Sequence, residues 1–159
     1  MGQFRLKEVD RAYLAGLFDG EGCASVVHSQ YRGRGRKRLY QSYRVQFIIS
    51  NTDNRVLKEV RLLFGTGGIY PKENSFRISK PRDVIEAIEL IRPYVRVKKT
   101  DLANLYEASE FILEVRGSSE RHKWTEEERN EFLKLAETSM ALKGGGKKKR
   151  GRPRKYRLQ

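Results

Sequence analysis

The spacing of apolar positions changes period several times along the chain, and each change marks an element. Over about residues 7–20, Val9, Ala12, Tyr13, Gly16, Leu17 and Gly20 recur at three- and four-residue intervals, which predicts a helix. Gly20 and Gly22 end it. Residues 23–30 read as a strand. From 39 to 50 the period is two: Tyr43, Val45, Phe47 and Ile49 share one face, and Ser42, Arg44, Gln46, Ile48 and Ser50 share the other. Asp53 predicts the cap of a second helix over about 54–64, with Val56, Leu57, Val60, Leu63 and Phe64 inward. The Gly-Thr-Gly-Gly run at 65–68 breaks it.

A short hairpin follows, with strands at 69–72 and 75–80 around a Glu73-Asn74 turn. In its second strand Phe76 and Ile78 alternate with Ser75, Arg77 and Ser79. Pro81 opens a third helix over about 82–92, carried by Val84, Ile85, Ile88 and Ile91, and Pro93 ends it. Residues 94–99 read as extended and basic. Thr100 or Asp101 then caps a helix to about Val115, and 117–123 is a polar break. Thr125 followed by Glu128 is a capping box. It predicts a last helix through about Leu142, docked by Trp124, Phe132, Leu135, Ala136 and Met140.

The order α-β-β-α-β-β-α-α predicts an α+β fold. Helices cover one face of a four-stranded antiparallel sheet, and the other face is polar and bears cations. A core over 1–116, a helical extension over 117–143 and a basic tail over 144–159 are the expected divisions. The first helix has an unusual end. Ala12, Gly16 and Gly20 form a stripe poor in side chains, across which another backbone can approach. Asp19 and Glu21 then add two negative charges beside the negative end of the helix dipole, a costly arrangement unless a cation relieves it.

Charge narrows the function. The 159 residues carry a formal net charge of +14. Residues 31–38 hold five cations and residues 143–159 hold nine, with no acid in either stretch. The remaining chain, with 20 basic and 20 acidic residues, is neutral. Two concentrated basic segments on a neutral globule point to a polyanionic partner. A single cysteine, Cys23, excludes a disulfide framework, and His28 and His122 lack zinc-ligand spacing. With no apolar run of membrane-spanning length and no signal-like start, an intracellular protein without a membrane partner is expected.

Residues 14–22, Leu-Ala-Gly-Leu-Phe-Asp-Gly-Glu-Gly, closely resemble the LAGLIDADG motif of homing endonucleases, and the αββαββα order extends that resemblance over roughly 7–115. The likeness is greatest to single-motif members that act as homodimers. It implies a helix-to-helix dimer contact, formed here by Ala12, Tyr13, Ala15, Gly16 and Asp19. It also implies site-specific hydrolysis of double-stranded DNA at a roughly palindromic target. The metal-binding acid would be Glu21, assisted by the Gly20 carbonyl. Most relatives have aspartate there; glutamate adds one methylene and still reaches a hard cation such as Mg²⁺. Asn51, Arg55 and Lys98 stand where relatives hold water and charge around the scissile phosphate.

For DNA reading, the polar face offers Ser25, Ser29, Ser42, Arg44, Gln46 and Arg77. Arginine suits guanine and glutamine suits adenine, at ~1–3 kcal/mol of discrimination per good pair. The loop cations Arg32, Arg34, Arg36, Lys37 and Arg38 are read as phosphate grips. In the tail, Arg150, Arg152 and Arg154 lie in an Arg-Gly-Arg-Pro-Arg-Lys string that resembles an AT-hook, a segment suited to narrow A·T minor grooves. Two alternatives share much of this pattern: an intron-RNA binder of maturase type and a DNA-binding protein that does not cut.

Overall fold

The computed structural model describes residues 6–32, 35, 39–117 and 122–144. The chain begins with α1 (Glu8–Glu21), followed by β1 (Gly22–Arg32) and β2 (Leu39–Ser50). Next come α2 (Asn54–Phe64), β3 (Gly68–Tyr70), a 3-10 turn (Pro71–Glu73) and β4 (Ser75–Ile78). Three helices complete it: α3 (Pro81–Ile91), α4 (Lys99–Arg116) and α5 (Glu126–Leu142). The four strands form one antiparallel sheet in the order β1-β2-β4-β3. Among the described residues no helix is long and apolar enough to cross a membrane.

The alternation in β2 sets the two faces as expected. Tyr43, Val45, Phe47 and Ile49 are buried beneath the helices, joined by Ala24 and Val26 from β1 and by Phe76 and Ile78 from β4. On α1 the buried side chains are Leu14, Ala15 and Phe18, and the Phe18 ring stacks on Phe47 at 4.6 Å. Asp53 caps α2 by accepting from the Arg55 amide, a contact of about 1 kcal/mol. Gly65 ends that helix in the left-handed region at φ 69°, where a residue with Cβ would be strained.

Three local expectations are corrected. Strand β3 stops at Tyr70, because Pro71 has no N–H for the ladder and turns into the 3-10 segment. Residues 94–99 are not extended: the amides of Tyr94 and Val95 both donate to the Ile91 carbonyl, folding the chain back under α1. On α5, Met140 is 64% exposed, and Ser139 is buried in its stead. At 3.6 residues per turn, Ser139 lies about 20° round the helix from Phe132 and Met140 about 80°.

The capping box of α5 forms as its sequence requires, with Thr125 and Glu128 satisfying each other's backbone amides. Phe132 and Ala136 enter the same hydrophobic core as the sheet, and Trp124 stacks on Tyr43 at 3.9 Å. This packing holds α5 along β1, one of the two edge strands. There Ser139 accepts a hydrogen bond from the Val26 amide at 3.2 Å, which occupies a ladder position that an edge strand leaves open.

Candidate functional site

The last residue of α1 faces an open cleft. Glu21 lines it with Ser50, Asn51 and Thr52 from the end of β2 and with Glu73 and Asn74 from the turn before β4, around a volume of about 260 Å³. The Asn51 amide nitrogen in the backbone donates to the Asn74 carbonyl at 2.9 Å, and its side-chain oxygen accepts from the Asp53 amide at 2.8 Å. These bonds fix Asn51 in the cleft wall without using its side-chain NH₂. Glu21 and Asn51 are thus brought together. Arg55 is not: its side chain is 90% exposed and paired with Asp53 at 2.8 Å, outside the cleft.

Asp19 and Lys98 resolve much of the charge conflict at the helix end. The Asp19 carboxylate accepts from three successive amides, those of Arg96, Val97 and Lys98, at 2.8–3.2 Å. Burial alone would raise its pKa, but those amides and the Lys98 charge outweigh it and hold the carboxyl below its ordinary value. Lys98 donates its ammonium to the carbonyls of Phe18 (3.3 Å) and Gly22 (2.6 Å), a cation at the negative end of α1. Its charge sits at the helix end next to Glu21, and Lys98 does not line the cleft itself.

A stability prediction follows for Asp19→Ala. It leaves three amides without their acceptor and should cost roughly 1–2 kcal/mol at neutral pH by denaturant unfolding. The folded pKa is depressed, so the contribution is present above the ordinary carboxylate range and disappears as pH falls through the folded value. The gap between wild type and variant should therefore begin to narrow as pH falls into the ordinary carboxylate range and close only below the depressed folded value.

The sheet face away from the helices carries the reading candidates. Cross-strand partners share a face, and the register sets Ser25 against Gln46, Val27 against Arg44, Ser29 against Ser42 and Ile48 against Arg77. Arg44 is exposed, while Ser29, Ser42 and Gln46 are half-buried. Arg77 is ion-paired with Glu73 and lies 4.8 Å over the Tyr70 ring, which ties this cation to the wall of the Glu21 cleft. Ser25 is a correction. It is only 8% exposed, and its hydroxyl accepts from the Lys143 ammonium at 2.9 Å, so it is not open to a base edge. Arg32 is exposed at the end of β1. Arg34, Arg36, Lys37 and Arg38 lie outside the described residues, as do Arg150, Arg152 and Arg154.

Two features of this face escaped the sequence reading. Tyr31 and Tyr40 are register partners whose rings stack at 5.5 Å beside the basic loop. The period of two, carried outward from Ser29 and Ser42, places both on the polar face. Lys143 is the other: it counted only as the first cation of the basic tail, and no local pattern placed it on this face.

On the opposite side of α1, Val9, Ala12, Tyr13, Gly16 and Gly20 form an exposed strip. A Cβ added at Gly16 or Gly20 would meet nothing within 4 Å. Ala15, expected in a subunit contact, is 0% exposed inside the chain's own core and cannot reach a partner. The carboxylate of Asp19, expected at the same contact, is turned onto the 96–98 amides.

A helix-backed antiparallel sheet with a polar, cationic face and an acidic helix end beside it is a surface suited to a polyanionic partner. The chain belongs to the LAGLIDADG endonuclease family, whose sequence profile matches residues 14–107. Its class of activity is that of a DNA endonuclease, a phosphodiester hydrolase. The homing endonuclease I-TnaI is similar at 27% identity and a TM-score of 0.62, covering 89% of this chain and 96% of its own. I-CvuI, crystallised with DNA in the presence of 2 mM Mg, has a TM-score of 0.67 at 17% identity, covering 85% and 82%. An archaeal intron-encoded homing endonuclease complexed with DNA has a TM-score of 0.65 at 16% identity, covering 84% of each chain. The last two show the fold alone. No curated protein matches the chain.

Proposed function

We propose that this protein is a site-specific endonuclease that cuts both strands of a long, roughly palindromic DNA target as a homodimer with Mg²⁺. The observation that carries this is the position of Glu21. Its carboxylate ends the helix whose other face is the exposed glycine strip, and it opens into a cleft at the margin of the cationic sheet. Two copies meeting along that strip would bring two Glu21 clefts together, related by a two-fold axis.

The donor set fits a hard cation. Glu21 offers carboxylate oxygen, and the Gly20 carbonyl lies in the last helical turn, where carbonyls lack an intrahelical donor. Among the described residues no three His, Cys, Asp or Glu side chains cluster as a complete metal site. A partial set of one carboxylate and one carbonyl is what Mg²⁺ uses when substrate phosphate and water fill the remaining positions. A bound Mg²⁺ supplies activation of water and charge neutralisation at the phosphate. Asn51 orients the attacking water with its side-chain NH₂, and Lys98 relieves the helix-end charge beside Glu21. Arg44, Gln46 and Arg77 read base edges. Ser29, Ser42, Arg32 and the remaining loop cations fix the register on the backbone.

The test is cleavage of a randomised duplex library with Mg²⁺ and with chelator. Recovery of a restricted, pseudo-palindromic set of cut sites only with Mg²⁺ is the expected result. Chelator-resistant cutting would overturn the metal assignment, and binding without cutting would favour a DNA-binding role alone.

A further inference from the structure

Helix α5 ends where the recognition sheet has its open edge. Ser139 takes the Val26 amide at 3.2 Å, which locks the last turn of the helix against β1. One turn later, Lys143 reaches round that edge and donates to Ser25 Oγ at 2.9 Å. Ser25 faces Gln46 across the strands, so the ammonium lies on the DNA-reading side of the sheet. Among the described residues no carboxylate pairs with Lys143. A cation resting on a neutral hydroxyl, held there by a buried serine one turn back, is a charge placed without a counter-ion.

We propose that Lys143 is part of the DNA interface and contacts a backbone phosphate at the β1 edge, with Ser139 and Ser25 as the residues that position it. The inference rests on the DNA-cleaving function proposed above. At this edge the sheet gives up base reading at Ser25 and gains a phosphate contact. Lys143 would therefore strengthen binding to all sequences alike and leave base preference unchanged.

The test compares full-length wild type with Lys143→Gln on duplex DNA across salt concentrations. A phosphate contact contributes about 0.9 to the slope of log K against log salt. The advantage of wild type should therefore shrink about three- to fourfold between 50 and 200 mM salt. Base preferences selected from a random duplex pool should not change, and Lys143→Arg should restore the slope. Lys134→Gln is the charge-matched control. That residue is on the same helix but lines a groove with Glu107, Glu127 and Glu131, and its loss should leave the slope as it was.

Ser139→Ala should make Lys143→Gln less damaging than it is in wild type, because the ammonium is no longer held at the edge. An unchanged slope in Lys143→Gln overturns the proposal, as does an equal fall in Lys134→Gln, which would indicate diffuse charge. If wild type itself shows no salt-dependent DNA binding, the parent function fails first, and the two failures are told apart.

Discussion

Glu21→Gln is expected to abolish Mg²⁺-dependent cleavage while the protein still folds and still binds DNA. Glutamine keeps the shape of the side chain and removes its charge, and a hard cation held by one carboxylate per chain depends on that charge. A metal contributes several kcal/mol of transition-state stabilisation, so single-turnover cleavage should fall on the order of 10³-fold or more. Folding should be spared. Among the described residues no hydrogen bond or ion pair engages the Glu21 side chain, which is exposed at the helix end. Anisotropy binding with and without Mg²⁺, thermal melting and single-turnover cleavage together separate these effects. Glu21→Asp, which withdraws the carboxylate by one methylene, should keep measurable cutting. Wild-type cleavage by Glu21→Gln would mean that the essential acid lies elsewhere.

The contrast between Glu21 and Asp19 explains what a reader of the sequence could see. Both acids, and the cost of placing them at the negative end of a helix, are visible in residues 19–21. How the conflict is relieved is not, because the partners of Asp19 lie 77–79 residues away in a loop whose own pattern looks extended. Periodicity describes neighbours along the chain. It carries no information about which distant amides a carboxylate will meet.

The same limit explains Ser25. Alternation along the second strand predicted two faces, and the β2 assignments from Tyr43 to Ile49 stand residue for residue. Which strand lies at the edge, and what covers that edge, is decided by the packing of α5. Its serine meets Val26 across 113 residues. The capping box and the Phe132/Ala136 stripe announced the helix but not its destination. Ser139 and Met140, adjacent in sequence, point about 100° apart on the helical wheel, and it is Ser139 that faces β1, where its hydroxyl meets the Val26 amide.

The first helix was ambiguous in a different way, and the ambiguity leads to a sharp experiment. Its sequence carries two low-polarity faces at helical spacing. Leu14, Ala15 and Phe18 are core, and Val9, Ala12, Tyr13 and Gly16 are exposed. Gly16→Leu should therefore leave the chain folded and make it monomeric. Its added side chain meets open space in its own subunit, and replacing a helical glycine should gain roughly 0.5–1 kcal/mol in helix propensity. In a two-fold contact the same bulk enters twice, where close backbone approach was needed. Sedimentation should report monomers, melting temperature should hold or rise, and double-strand cutting should be lost. The neighbouring change Ala15→Leu should do the reverse. It overpacks a fully buried site, costs about 1–3 kcal/mol in stability, and leaves the exposed strip intact. Assembly failing at one residue and stability at the next would place the subunit contact on the glycine face of α1. A Gly16→Leu protein that still sediments as a dimer and cuts both strands would move that contact to another surface.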